Sequence, residues 1–367
     1  MDIMREANAR QAAGESIIHM EVGQPGTPAP KIAREAVMRE IARGPLGYTD
    51  ALGLPALRER IARHYRDTYG LEISHRRVVV TTGSSAGFVL AFLALLNPGD
   101  AVALPRPGYP CYRQIARLLG LEPVHIAAGN DAGYLPTPER LKEAFAKARA
   151  VVLASPANPT GTMMTPDRIA SSAAAAKSSG AWFISDEIYH GLSYAVQEAT
   201  ALQYWDEAIV INSFSKYFSM TGWRIGWMIV PERLIRVFER LAQNLYISPP
   251  AVSQAGALAA FDATEELEAY KAVYARNREM LLEELPKAGF RKFAPADGAF
   301  YLYADISDLT GDSGSYVRRM LKETGVATTP GIDFDEADGR HFMRFSYAGP
   351  FEDIREAARR LATWGGR

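Results

Sequence analysis

The chain of 367 residues has a single cysteine, Cys111. That scarcity excludes an internal disulfide and any metal cluster built on cysteine. Its six histidines, His19, His64, His75, His125, His190 and His341, include no pair at helical ligand spacing, so no metal site on imidazoles is expected. Neither sign of charge is in excess: 41 Lys and Arg stand against 42 Asp and Glu, without the basic footprint of a nucleic-acid binder. Long apolar runs are missing as well. The longest, "FVLAFLALL" from Phe88, is far shorter than the ~20 residues that cross a bilayer, so no membrane partner is expected. The opening "MDIMREANARQ" is charged throughout, which argues against a signal peptide and for a cytoplasmic protein. What is there is 48% hydrophobic and 23% charged, the balance of a soluble globular chain long enough for one large and one smaller domain.

From Arg77 onward, short β-branched runs alternate with helical segments: "RVVVTT" then "AGFVLAFLALL", "DAVALP" then "YRQIARLLG", "RAVVLAS" then "PDRIASSAAAAKSSG", followed by "AWFISDE", "AIVINSF" and "RIGWMIV". Such alternation predicts an α/β domain of three layers, a mostly parallel sheet covered on both faces, because parallel strands need crossover helices. Beyond Ala251 a long helical stretch leads into "GAFYLYADI" and "HFMRFSYA", strands of a smaller α+β domain hinged on that helix. "SIIHMEVG" reads as an apolar strand that joins it. The expected spans are 26–262 for the large domain and 1–25 with 263–367 for the small one.

Ligands of an open parallel sheet sit beyond the carboxyl ends of its strands, and those positions are unusually polar here. After "VVVTT" come Gly83, Ser84 and Ser85 at the start of a helix, where free backbone N–H groups suit a phosphate, although serine capping alone also explains them. After "VVLASPA" comes Asn158 in a turn. Asp186 ends a buried apolar strand and so calls for a positive partner, and Tyr189 follows three residues later. After "AIVIN" stand Ser213, Lys216 and Arg224. One small molecule would satisfy this set together: pyridoxal 5′-phosphate. Lys216 would join its aldehyde as an imine, and Asp186 would keep its ring nitrogen protonated. Asn158 and Tyr189 would bond its phenolic oxygen. Arg224, Ser213 and the amides at Ser84 and Ser85 would hold its phosphate.

The stretch "SFSKYFSMTGWRIG", with serine three before the lysine and arginine eight after it, resembles the cofactor-lysine signature of the class I/II aminotransferases, the aspartate aminotransferase-like fold type I. "GYTDALGLPALRERIA", "VTTGSSAGF", "PGYPCY", "SPANPTG", "SDEIYH" and "MRFSYA" follow in the family's order over nearly the whole chain. The resemblance implies further roles. Tyr109 would stack on the cofactor ring, Tyr48 would reach the phosphate bound by the other subunit of a homodimer, Arg344 would pair with the substrate α-carboxylate, and Gly23 would offer its N–H nearby. It implies amino transfer from an L-amino acid to a 2-oxo acid in two half-reactions, with the freed Lys216 amine as acid and base. Closing of the two domains would assemble the site and exclude water.

Three readings stay open on the sequence. A β-lyase of the same fold would keep the same lysine, aspartate and arginine. A non-catalytic ligand-sensing module would need a DNA-binding segment, for which no basic run exists. Cys111 as a nucleophile lacks a neighbouring histidine, and a small half-buried helix residue explains it as well. No second cation for a distal substrate carboxylate is placed by the motifs. Arg106 near "PGYP" has no fixed direction, and the aromatic surroundings of Tyr109 and Tyr246 suit an apolar or aromatic side chain. The segment "GIDFDEADGRH" is more acidic than the family pattern at this point.

Overall fold

The computed structural model describes residues 2–365. In chain order its strands are β1 Ile18–His19, β2 Val78–Thr81, β3 Ala101–Arg106, β4 Glu122–Ala127, β5 Ala150–Ala154, β6 Trp182–Asp186, β7 Ile209–Ser213, β8 Gly226–Ile229, β9 Lys292–Phe293, β10 Tyr301–Asp305, β11 Val326–Ala327, β12 Thr329–Pro330 and β13 Phe342–Ser346. Its helices are α1 Asp2–Ala12, α2 Lys31–Ala42, α3 Pro55–Tyr69, α4 Ser84–Leu95, α5 Pro110–Leu118, α6 Pro138–Lys147, α7 Pro166–Ser179, α8 Ile235–Tyr246, α9 Ala251–Ala260, α10 Thr264–Glu284, α11 Ser313–Thr324 and α12 Phe351–Trp364.

β2 to β8 form one sheet in the order β2-β8-β7-β6-β5-β3-β4. The runs "VVVT", "AVVLA" and "IVINS" are apolar on both faces because helices cover both sides, and β2 and β7 are buried throughout. Four neighbouring pairs are parallel, while β8 runs antiparallel to both β7 and β2. The reason lies in the connection. Between β7 and β8 the chain makes only a short 3-10 turn at Thr221–Trp223, and a return without a crossover helix must be antiparallel. Lys216 lies in that return.

β9, β10, β12 and β13 form a second, antiparallel sheet, and β1 pairs with β11 in parallel, Ile18 opposite Val326. β1 is only two residues of the longer strand expected in "SIIHMEVG". A core of Tyr274, Leu281, Phe300, Phe345 and Leu361 lies between this sheet and α10 and α12. The long helix expected after Ala251 is two helices. The chain breaks at 261–263, where Phe261 turns into the core of the large sheet against Phe214 and Phe218, with ring centroids 5.3 and 5.1 Å apart. Met1, Gly366 and Arg367, included in the expected small-domain spans, lie outside the described residues.

Candidate active site

A cavity of about 750 Å³ opens where the carboxyl ends of β5 and β6, the β7–β8 return, the start of α4 and the second sheet meet. That is within the usual size range for a small-molecule site. Asp186 ends β6, opposite Ala154 in the parallel register, so the strand itself delivers a carboxylate to the cavity floor. It is 3% exposed. Tyr112 of α5 donates to its Oδ2, and the Ile188 N–H donates to Oδ1 at 3.0 Å. Among the described residues it has no ion-pair partner, and burial lifts its pKa to about 6.

Lys216 lines the same cavity, its ammonium donating to the Gly23 carbonyl. Its Nζ lies 5.6 Å from the Tyr189 ring centre and 5.8 Å from that of Phe300. Burial first, then the like charge of Arg344, brings its pKa down to about 7. The lysine therefore has a large neutral fraction near neutral pH, which a nucleophile or a proton carrier needs.

Across the floor, α4 begins without any side-chain cap, its N-cap being Gly83 at φ +84°. The first-turn amides of Ser84 and Ser85 thus carry the positive end of the helix into the cavity. Arg224 stands beside them at φ +50°, a left-handed conformation unusual for arginine, with Nη1 donating to the Thr221 carbonyl at 2.9 Å. A Cβ on Gly83 would strike the Arg224 guanidinium, so glycine is what admits the arginine there. Gly83 itself lies behind the cavity wall.

From the second sheet, β13 brings Arg344, 5% exposed. Its Nη1 donates to Asn158 Oδ1 at 2.7 Å, and its Nη2 to the Glu21 carbonyl at 2.7 Å and to Thr329 Oγ1 at 3.3 Å. Its Nε is buried without a partner, and no carboxylate pairs with it among the described residues. An anion is what this guanidinium lacks. The Tyr189 hydroxyl meets that of Tyr301 at 2.7 Å. Tyr109 lies edge-on to Tyr112 at 5.4 Å, and its ring, like the Gly23 backbone, lines the cavity.

Besides Gly83, two of the residues expected here lie elsewhere. Ser213 is buried at the end of β7, bonded to Ser215 Oγ at 2.8 Å and to the Ile225 carbonyl at 3.0 Å, so the Ser215 hydroxyl is the one beside the cavity. Tyr48 is 83% exposed and does not line this chain's own cavity. Ser215, Thr221, Tyr112 and Tyr301 are cavity residues that the sequence motifs did not single out. Tyr112 had a signal, since it stands in the first turn of the helix that Tyr109 caps. Cys111 also lines the cavity, but burial pushes its thiol pKa up, against a nucleophilic role. Arg106 is absent from the wall; it pairs with Asp335 at 3.2 Å.

The residues present fit pyridoxal phosphate on physical grounds: a buried carboxylate without a cation, a lysine with a depressed pKa, and an uncapped helix start beside an arginine. Known proteins give an independent comparison. A valine–pyruvate aminotransferase of Mycobacterium tuberculosis is 47% identical over 99% of this chain and 95% of its own length. The crystal structure of an aminotransferase from the same organism superposes with a TM-score of 0.97 at 47% identity, covering 99% of this chain and 95% of that one. Aspartate aminotransferase from Thermus thermophilus with maleate matches with a TM-score of 0.92 at 30% identity, over 99% of this chain and 95% of that one. Residues 15–361 match the family model described as aminotransferase class I and II, and the chain belongs to that family.

Proposed function

We propose that this chain binds pyridoxal 5′-phosphate and moves the amino group of a small apolar L-amino acid to a 2-oxo acid by a ping-pong mechanism. The observation that carries the reading is that the buried Asp186 and Arg344 and the half-buried Lys216, each lacking a counter-charge partner among the described residues, converge on one cavity. When bound, the cofactor supplies an aldehyde for the amine and a protonated ring that draws electrons from the substrate α-carbon. Asp186 holds the proton on the ring nitrogen, and Tyr112 and the Ile188 N–H hold Asp186 in place. Ser84, Ser85, Ser215 and Arg224 bind the phosphate. Arg344 binds the substrate carboxylate, with Asn158 fixing its guanidinium. Lys216 Nζ takes the proton from the substrate α-carbon and returns it, a task suited to an amine whose pKa is near 7.

Ile3, Met4, Ile332 and Phe334 make part of the cavity wall apolar, which supports an apolar side chain, and the M. tuberculosis relative is named for valine and pyruvate. The test is the visible spectrum of the cofactor-loaded protein with valine and no acceptor. A lasting loss of the lysine-bound cofactor band with one equivalent of 2-oxo acid per site is expected. Ammonia accumulating while the band recovers would instead identify a lyase. Lys216→Ala should lower turnover by at least about 10⁴-fold, because nucleophile and proton carrier are lost together; steady-state activity near that of the parent would overturn the assignment.

A further inference from the structure

The acidic segment after β12 is a closed loop. Gly331 and Gly339 meet at its neck, where a Cβ on either would strike the other's backbone, and the Asp335 N–H donates to the Gly331 carbonyl at 3.0 Å. The loop contributes Ile332, Asp333 and Phe334 to the cavity. Phe334 lies under the Arg344 guanidinium, its ring centre 4.7 Å from Cζ.

Behind this wall the remaining acids of the loop are taken up by arginines of β3 and α5. Arg106 pairs with Asp335 at 3.2 Å and Asp338 at 3.9 Å. Arg113 and Arg117 share Glu336 at 3.2 and 3.1 Å, and Arg113 also donates to the Asp333 carbonyl at 2.7 Å. The Gly108 N–H donates to the Phe334 carbonyl at 3.1 Å. The same segment carries Tyr109, so the clamp joins the two walls of the cavity. Asp333 is the exception: among the described residues its carboxylate has no ion pair and no hydrogen bond, and it lines the cavity.

We propose that this arginine-clamped loop is the specificity element of the site: it holds Ile332 and Phe334 as a fixed apolar wall and presents the Asp333 carboxylate so that substrates with a second, distal carboxylate are rejected. The proposal rests on the aminotransferase reading above. The physical basis is rejection by like charge, which costs an unwanted ligand far more than it costs a neutral one. Preorganisation adds to it, since a wall already held in place need not be ordered on binding. Arg106, Arg113 and Arg117, taken up by the loop, line no part of the cavity and receive no distal carboxylate there, while Arg318 of α11 is the cation that lines the cavity together with Asp333. Asp333 is a specificity residue, and Glu336 is a positioning residue acting through Arg113 and Arg117.

The test uses the cofactor-loaded full chain and two unreactive ligands, 3-methylbutanoate and maleate, whose dissociation constants are read from the shift of the visible band. The parent is expected to favour the monocarboxylate, and Asp333→Asn to narrow that preference about tenfold, as does raised salt in the parent. A preference unchanged in Asp333→Asn overturns the proposal. Glu336→Gln is expected to weaken 3-methylbutanoate about fivefold, as expected when a wall must be ordered on binding. It should also speed hydrogen exchange at the Ala337 and Asp338 amides, which donate to Asp335 Oδ1 at 2.8 and 3.1 Å. Exchange and affinity both unchanged would overturn the clamp. Failure of the unmodified loaded chain to bind either ligand or to transfer an amine, with exchange at the loop still slow, would overturn the aminotransferase reading and the specificity assignment with it.

Discussion

Asp186 and Lys216 are each buried at a cost that the protein alone does not offset. For Asp186 the folded pKa, about 6, lies above the ordinary 3.8. Its favourable contribution is therefore complete below about pH 4 and is lost as pH rises through 6. Without cofactor, Asp186→Asn should be more stable than the parent above pH 6, by at most about 3 kcal/mol, and equal to it below pH 4. Urea unfolding across that range checks this, and parallel pH profiles would refute it. With cofactor the order should reverse, because the asparagine cannot hold a protonated ring nitrogen. Lys216 has the opposite sign: its pKa falls from 10.5 to about 7, so its contribution is present above 10.5 and is lost as pH falls through 7. The polarity of strand ends made Lys216, Asp186, Arg224 and Asn158 legible in the sequence. Which serine faces the cavity was not legible. Ser213 and Ser215 share a segment, and the outcome turns on where the pleat of β7 gives way to the return.

At the scale of elements, the turn from β2 into α4 sets a helix start against a guanidinium, with Gly83 as the only side-chain-free point between them. Gly83→Ala combines a positive φ with a collision. It should weaken cofactor binding at least about tenfold and destabilise the cofactor-free chain by about 1–2 kcal/mol. Equilibrium titration with pyridoxal phosphate and denaturant unfolding read the two effects separately, and unchanged affinity would mean that Arg224 and the α4 amides do not act together. The alternation of apolar runs with helical segments makes the layered architecture legible in the sequence. Periodicity does not give the direction of β8, which follows from a short connection, or the break at 261–263, which follows from Phe261 finding the core of the large sheet. The acidic loop is visible as an anomaly of composition, yet its meaning depends on arginines more than two hundred residues earlier in the chain.

Across the whole molecule, Met38, Ile41, Leu46 and Tyr48 leave large hydrophobic side chains exposed along one stretch, and Ile247 is exposed as well. This agrees with the homodimer that the family resemblance implies, in which Tyr48 serves the neighbouring cavity. Mixing Lys216→Ala with Tyr48→Phe chains should then recover about one quarter of the parent's sites, since half of the dimers are mixed and each has one intact site. No recovery, with exchange of chains demonstrated, would return Tyr48 to an ordinary surface role. The convergence of Asp186, Lys216 and Arg344 has a last consequence, for the life of the chain in a cell. If pyridoxal phosphate is what satisfies Asp186 and Lys216, the cofactor is a missing piece of the core, and folding stability rises with its free concentration. Chains made when the vitamin-derived cofactor is scarce unfold more often and fall to proteases first. The abundance of this protein would then track cofactor supply with no dedicated sensor.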